Sequence, residues 1–213
     1  MRSAPWTFGW LAVLLVTTII QHFVSRATLS DLLAERSTNL DNLHHDPVRV
    51  LIESLLWVDG YFWLPYLAMY WFLHAPAERW LGALRWAAIG LSAHVAATYI
   101  SEGLLQFAIR HGMANPELVD VRDIGVSYFL AAIVGALTYH IVYPWRWAYV
   151  GTIFVIFGLP LLIHLSFTGV GHFSSMLIGL AWYPITLSRK SHNRLWDPAE
   201  SYGRWLHRRA AQC

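Results

Sequence analysis

Long apolar runs alternate with short polar segments along the chain. Six of these runs are candidate membrane spans, at residues 6–25, 60–75, 84–108, 124–143, 147–166 and 168–187. A membrane-spanning helix needs about 20 apolar residues, so the second span must tilt or be surrounded by protein. The first run, WTFGWLAVLLVTTIIQHFV, is too long for the apolar core of a signal peptide. The pattern predicts an all-α, polytopic membrane protein with six transmembrane helices.

Two segments depart from this pattern. Residues 26–59 form a long connection between the first two spans, and they include VRVLIESLLW, which is typical of an amphipathic helix at the membrane interface. Residues 188–213 are polar and basic. We therefore divide the chain into a membrane domain at 1–187 and a basic cytoplasmic tail at 188–213.

Composition supports a membrane protein. The chain is 56% hydrophobic and 13% charged, whereas soluble domains contain about 25% charged residues. No segment has the basic pattern of a nucleic-acid-binding surface. Cys213 is the single cysteine, which excludes an internal disulfide.

The distribution of basic residues predicts the orientation in the membrane. If both termini are cytoplasmic, ten of the 15 Lys and Arg residues fall on the inside and five on the outside. Cytoplasmic loops carry such an excess. We expect a multi-pass membrane protein with its N and C termini inside the cell.

Two polar side chains then share one depth near the outer surface. Ser127 and His172 each lie about four residues, or ~6 Å, into the fourth and sixth spans. A serine hydroxyl becomes a nucleophile when a base such as histidine accepts its proton. The pair is therefore a candidate catalytic dyad.

Small residues recur every fourth position on both spans. They are Ser127, Ala131 and Gly135 on the fourth span and Gly171, Ser175 and Gly179 on the sixth. Such patterns let membrane helices approach closely. They also occur in membrane proteins without catalysis, and a serine in a membrane helix usually bonds to its own backbone.

Other polar residues have competing interpretations. Glu102 in the third span is either a supporting group for the reaction or a structural carboxyl that holds helices together. Asp123 is expected to cap the fourth span. His44 and His45 are expected to be solvated, so no metal site is predicted.

Three motifs resemble the rhomboid family of intramembrane serine proteases over roughly residues 48–187. Gly125-Val126-Ser127 is similar to the family's G-x-S motif, and His172 with Gly179 in GHFSSMLIG is similar to its sixth helix. Glu78 and Gly82 in APAERWLG have the spacing of its E-x-x-x-G motif. The chain resembles in particular the divergent, actinobacterial-type members, which implies a location in a bacterial plasma membrane.

The resemblance implies an active site and a substrate class. Ser127 and His172 would form a Ser-His dyad that cleaves transmembrane proteins near the extracytoplasmic face, without a metal or another cofactor. The family's oxyanion-supporting histidine and asparagine fall at Phe62 and Tyr66, and phenylalanine cannot donate a hydrogen bond. Oxyanion or support candidates are therefore Tyr66, Gly125 and Glu102.

Two functions other than proteolysis remain open. A catalytically inactive rhomboid-like protein would bind transmembrane clients, and the altered oxyanion positions favour it. A small transporter is less favoured, because the chain shows no inverted repeat. The partners expected in each case are transmembrane proteins and the lipid bilayer, with no nucleic acid, and the oligomeric state is not predicted.

Overall fold

The computed structural model of the chain describes residues 3–60, 63–187, 195–202 and 204. Within these ranges the secondary structure is helical, apart from a β-bridge between Ile141 and Trp196. The prediction of an all-α protein is confirmed for this part of the chain. The α-helices are α1 Pro5–Phe23, α2 Arg26–Glu35, α3 Leu40–His45, α4 Pro47–Glu53, α5 Trp63–Met69, α6 Ala75–Leu81, α7 Ala83–Arg110, α8 Val126–Leu137, α9 Trp145–Ile163, α10 Phe167–Ala181 and α11 Tyr183–Thr186.

Shorter helical turns connect several of these helices. A π-helical turn, Tyr70–His74, joins α5 to α6, so that the chain is helical from Trp63 to Leu81. Two 3-10 turns, Pro116–Asp120 and Thr138–His140, precede and follow α8. The predicted second span, at 60–75, overlaps the longer stretch that includes α5 and α6.

Helix α8 lies at the centre of the bundle and packs against α7 and α10. Its side chains Phe129 and Ile133 belong to a buried cluster with Trp80 of α6 and Trp86 of α7. By contrast, Ile153 is the one buried residue of α9. The apolar sequence of α8 is thus explained by burial within the protein, whereas α9 exposes its apolar side chains.

The two ends of the bundle are distinguished by the segments that pack there. At the first end, which we call the α2–α4 end, Thr38 binds the backbone of Asp123 and Ser101 binds that of Phe167. At the second, the tail end, the ring of Tyr139 contacts that of Tyr183, and Val142 bonds to Trp196 of the tail. Helices α8 and α10 both begin at the α2–α4 end.

In the part of the chain that the structure describes, two helices are long and apolar enough to cross a membrane, Pro5–Phe23 and Trp145–Ile163. The helical stretches Val126–His140 and Phe167–Ala181 are apolar but shorter. Many large apolar side chains are exposed, including Phe23, Leu84 and Leu162 at 85%, 86% and 86% of their surface. Much of the predicted cytoplasmic tail, at 188–194, 203 and 205–213, lies outside the described residues.

Candidate active site

Ser127 is the second residue of α8 and lies half-buried at the α2–α4 end. Its hydroxyl donates a hydrogen bond to the carbonyl of Ile124 at 3.2 Å. A bond of this kind satisfies the hydroxyl with the backbone of its own turn. To act as a nucleophile, Ser127 must exchange this acceptor for a base.

His172 is half-buried on the first half of α10. The ring of Tyr128, which follows Ser127, meets the imidazole ring edge-on, with the ring centroids 5.1 Å apart. Among the described residues, no hydrogen bond joins Ser127 to His172. The two residues therefore lie on neighbouring helix ends, with the tyrosine ring packed against the histidine.

The backbones of α8 and α10 are in direct contact below this point. Gly135 lies against the carbonyl of Met176, and Gly179 lies against the carbonyl of Ala132. A side chain at either glycine would overlap the facing backbone. The small residues Gly135 and Gly179 thus permit the close approach that membrane helices achieve with such patterns.

The face of α8 that meets α10 differs from the predicted one at the α2–α4 end. Ser175 donates a hydrogen bond to the carbonyl of Tyr128, and Gly171 leaves space for the tyrosine ring. Ser127 precedes Tyr128 and so points about 100° away around the helix. Ser127 consequently lies at the margin of the contact face, and Tyr128 occupies the position opposite α10.

Gly125 is fixed by a contact with α7. A β-carbon at Gly125 would overlap the imidazole ring of His94. The Nε2 atom of His94 lies 3.0 Å from the carbonyl oxygen of Leu51, which joins α7 to α4. Gly125 is therefore required by packing, whether or not it supports an oxyanion.

Buried polar groups surround the Tyr128 hydroxyl. The Tyr128 hydroxyl donates a hydrogen bond to the hydroxyl oxygen of Ser101 at 3.5 Å. Glu102 is close enough to Asp123 for their carboxylates to repel each other. Glu102 is 4% exposed, and neither its Oε2 atom nor the hydroxyl of Thr98 has a hydrogen-bond partner in the described structure. Glu102 therefore interacts electrostatically with Asp123, and among the described residues no hydrogen bond joins it to Ser127.

Asp123 joins the long connection between α1 and α5 to the start of α8. Its backbone N–H donates to the Ser37 hydroxyl at 2.6 Å, and its carbonyl accepts from the Thr38 N–H at 2.9 Å. The prediction that Asp123 caps α8 is wrong, because Gly125 is the N-cap residue of α8 and no side chain caps this helix. Burial raises the pKa of the Asp123 carboxyl to about 6.

The oxyanion candidate Tyr66 lies half-buried on α5. It packs on a cluster that includes Tyr70 and Val126, the residue before Ser127. This contact brings α5 to the start of α8. Phe62, the counterpart of the family's histidine, lies outside the described residues.

Glu78 and Gly82 both have structural roles at the ends of helices. The carboxylate of Glu78 accepts hydrogen bonds from the backbone N–H groups of Trp6 at 3.2 Å and Thr7 at 2.7 Å. It therefore satisfies the free N–H groups at the start of α1. Gly82 separates α6 from α7 with φ +85°, a conformation that favours glycine.

The histidines of α3 are not part of a metal-binding group. His45 Nδ1 lies 2.9 Å from the carbonyl oxygen of Asp41, and its ring contacts that of His44. Within the described ranges, no group of three or more His, Cys, Asp and Glu side chains is arranged to hold a metal ion.

The sequence model of a family described as "Rhomboid-like protein" matches residues 1–192. The chain belongs to this rhomboid-like family. Membership implies an integral membrane protein, in agreement with the exposed apolar side chains of the helices. No curated protein and no solved structure matches this rhomboid-like protein.

Two important contacts of the rhomboid-like protein were not predicted from the sequence. One is the edge-on packing of Tyr128 against His172. The spacing of Gly171 and Ser175, one turn apart on α10, was a usable signal, because both residues leave space for a large side chain on α8. The other is the bonding of Ser37 and Thr38 to Asp123, which is distant in sequence and has no periodic signal.

Proposed function

We propose that this rhomboid-like protein is a six-span intramembrane serine protease in which Ser127 and His172 form the catalytic dyad. Its substrates are transmembrane proteins, cleaved near the extracytoplasmic face. The α2–α4 end of the bundle is the extracytoplasmic end, and both termini are cytoplasmic. The proposal combines family membership with the chemistry available at the starts of α8 and α10.

One observation is the main support for the dyad. The start of α8 is bound to α10 through Tyr128, whose carbonyl accepts a hydrogen bond from Ser175 and whose ring packs on His172. Ser127 is the adjacent residue on α8. A rotation about the Cα–Cβ bond of Ser127 would break the hydrogen bond to Ile124 and free the hydroxyl for another acceptor, without moving either helix.

The proposed reaction follows the serine-hydrolase pattern. The Ser127 oxygen attacks the scissile carbonyl while His172 takes the hydroxyl proton. His172 then gives that proton to the leaving amine, which departs as the peptide bond breaks. Water hydrolyses the resulting acyl ester and regenerates the serine. The backbone N–H of Ser127 is available to stabilise the oxyanion.

A fluorophosphonate probe tests the proposal, because it reacts with activated serines. Purified protein in lipid vesicles should be labelled, and Ser127→Ala and His172→Ala should abolish labelling. Ser25→Ala is the control, since Ser25 is an exposed serine at the start of α2. Equal labelling of wild type and Ser127→Ala would reject the dyad.

A second function is favoured by a different observation. The Ser127 hydroxyl is bonded to Ile124, and the family's oxyanion donors are replaced at Phe62 and Tyr66. Losing one oxyanion donor costs about 10²–10³ in rate. These features suit a protein that binds transmembrane clients without cleaving them.

Photo-crosslinking separates the two functions. A protease should be labelled by the probe and should release cleaved fragments of its bound partners. A client-binding protein should crosslink intact single-span proteins, remain unlabelled, and crosslink equally well as Ser127→Ala.

A further inference from the structure

A small cavity lies at the tail end, far from the proposed dyad. It has a volume of about 140 Å³ and lies between α6, the end of α8, the start of α9 and α11. Trp80, Tyr139 and Tyr183 contribute aromatic rings to its wall, and Arg146 is the charged residue among its described lining residues. The cavity thus combines one cation with an aromatic wall.

The charge of Arg146 is not compensated within the described structure. Its Nε donates to the carbonyl of Ile141 at 3.1 Å, and no carboxylate of the described residues pairs with the half-buried guanidinium. A partly buried charge without a counter-ion is costly. The free N–H groups of the guanidinium are therefore suited to an anion.

The acidic side chains at this end are engaged elsewhere. Glu78 accepts from the backbone at the start of α1. Asp197 accepts from the backbone N–H of Ala199 at 2.8 Å, and Glu200 pairs with Arg204 at 2.7 Å. These contacts leave the guanidinium of Arg146 available to an external anion.

An apolar groove of about 450 Å³ adjoins the cavity. It is lined by Leu73, Leu137 and Tyr149, with His140 and Ile141 toward the cavity. The His140 ring contacts that of Trp80, a residue of the cavity wall, and the Ile141 carbonyl accepts the Arg146 bond. The cationic cavity and the apolar groove are therefore neighbours.

We propose that this pair of sites binds one anionic phospholipid, with its phosphate on Arg146 in the cavity and an acyl chain in the groove. Guanidinium groups bind phosphate oxygens through paired hydrogen bonds, and anionic lipids are enriched in the cytoplasmic leaflet. Free phosphate has the same charged chemistry. The adjoining groove favours a lipid, because an acyl chain binds to an apolar surface and a free anion does not. The site rests on the proposed orientation, with the tail end on the cytoplasmic side, but not on proteolysis by Ser127.

Native mass spectrometry of the full-length protein in detergent tests the proposal with dioleoyl phosphatidylglycerol. Wild type should retain this lipid about five- to tenfold better than Arg146→Gln, in line with one lost charge interaction near a membrane surface. Arg79→Gln is the matched control, because Arg79 is an exposed arginine of the same end. It should retain the lipid like wild type.

A second variant separates a lipid from a free anion. Leu73→Trp fills the groove and should weaken retention of phosphatidylglycerol, while the melting temperature without added lipid confirms that it folds. Inorganic phosphate should not displace the lipid.

Three results would overturn the assignment. One is equal retention of the lipid by wild type and Arg146→Gln. Another is equal retention of phosphatidylcholine with the same chains. The third is displacement by inorganic phosphate, which would identify a free-phosphate site.

Discussion

At the scale of single residues, Gly125 determines how the chain enters α8. The imidazole of His94 occupies the space that a side chain at this position would need. The G-x-S sequence therefore has a packing explanation in addition to its resemblance to a catalytic motif. The same contact ties the serine-bearing turn to α7.

Gly125→Ala is expected to destabilise the protein by about 1–3 kcal/mol through overpacking against His94. Thermal unfolding in detergent measures the change. Gly103→Ala is the control, because a side chain there meets nothing within 4 Å. It should be neutral or slightly stabilising.

The double variant Gly125→Ala with His94→Ala checks the cause. Removal of the ring should recover part of the loss, which gives a coupling free energy of about 0.5–3 kcal/mol. Strictly additive losses would show that the strain lies elsewhere.

Asp123 predicts a pH dependence of stability. Its folded-state pKa of about 6 lies above the ordinary value of 3.8, so the folded state binds the proton more tightly than the unfolded state. The contribution of Asp123 to stability is therefore greatest below about pH 4 and falls as the pH rises to about 6, by on the order of 3 kcal/mol.

Asp123→Asn should remove the part of this decline that Asp123 causes, and the difference in melting temperature between variant and wild type measures it from pH 4 to pH 7. Asp120→Asn is the control, because Asp120 is exposed in the same loop. A wild-type decline that persists in Asp123→Asn would assign the titration to another group.

At the scale of elements, the contact between α8 and α10 depends on glycines that admit a facing backbone. Gly179 meets the carbonyl of Ala132, whereas Gly151 on α9 faces open space. Substitutions at these two positions therefore compare a helix interface with an exposed helix surface of the same protein.

Overpacking in a core typically costs about 1–3 kcal/mol of stability. Gly179→Val is expected to cost more than this, because the facing backbone cannot rotate away as a side chain can. Gly151→Val should change stability by about 0.5 kcal/mol or less. Unfolding in detergent gives both values, and similar losses for the two variants would contradict a close contact.

Glu78→Gln tests the anchoring of α1. The carboxylate accepts from two backbone N–H groups, those of Trp6 and Thr7, while an amide offers one acceptor. The expected loss is about 1.5–3 kcal/mol, typical of a hydrogen bond to a charged group. Hydrogen exchange should accelerate at residues 6 and 7, and unchanged exchange there would refute the anchoring role. Glu117→Gln, at an exposed acid, is the control.

At the scale of the whole molecule, the orientation predicted from basic residues is testable with introduced cysteines. In a Cys213→Ser background, Asp41→Cys lies at the α2–α4 end and Glu200→Cys in the tail. A membrane-impermeant maleimide should label Asp41→Cys in intact cells and Glu200→Cys after permeabilisation. Labelling of both positions in intact cells would contradict the proposed topology.

The sequence predicts much of this architecture because apolar length and small-residue spacing are local signals. Gly135 and Gly179 could be assigned to a helix contact in this way. The bonding of Asp123 to Ser37 and Thr38 could not, because a contact between distant loops leaves no periodic pattern. Tyr128 was also missed as the residue facing α10, since a tyrosine in an apolar run looks like an ordinary core position.

The central claim is that His172 activates Ser127. Its most direct test is peptide mapping, by mass spectrometry, of the fluorophosphonate adduct formed by the full-length protein in lipid vesicles. We predict an adduct on Ser127 that is lost in His172→Ala. An adduct on another serine, or no adduct on a folded protein, would contradict the account.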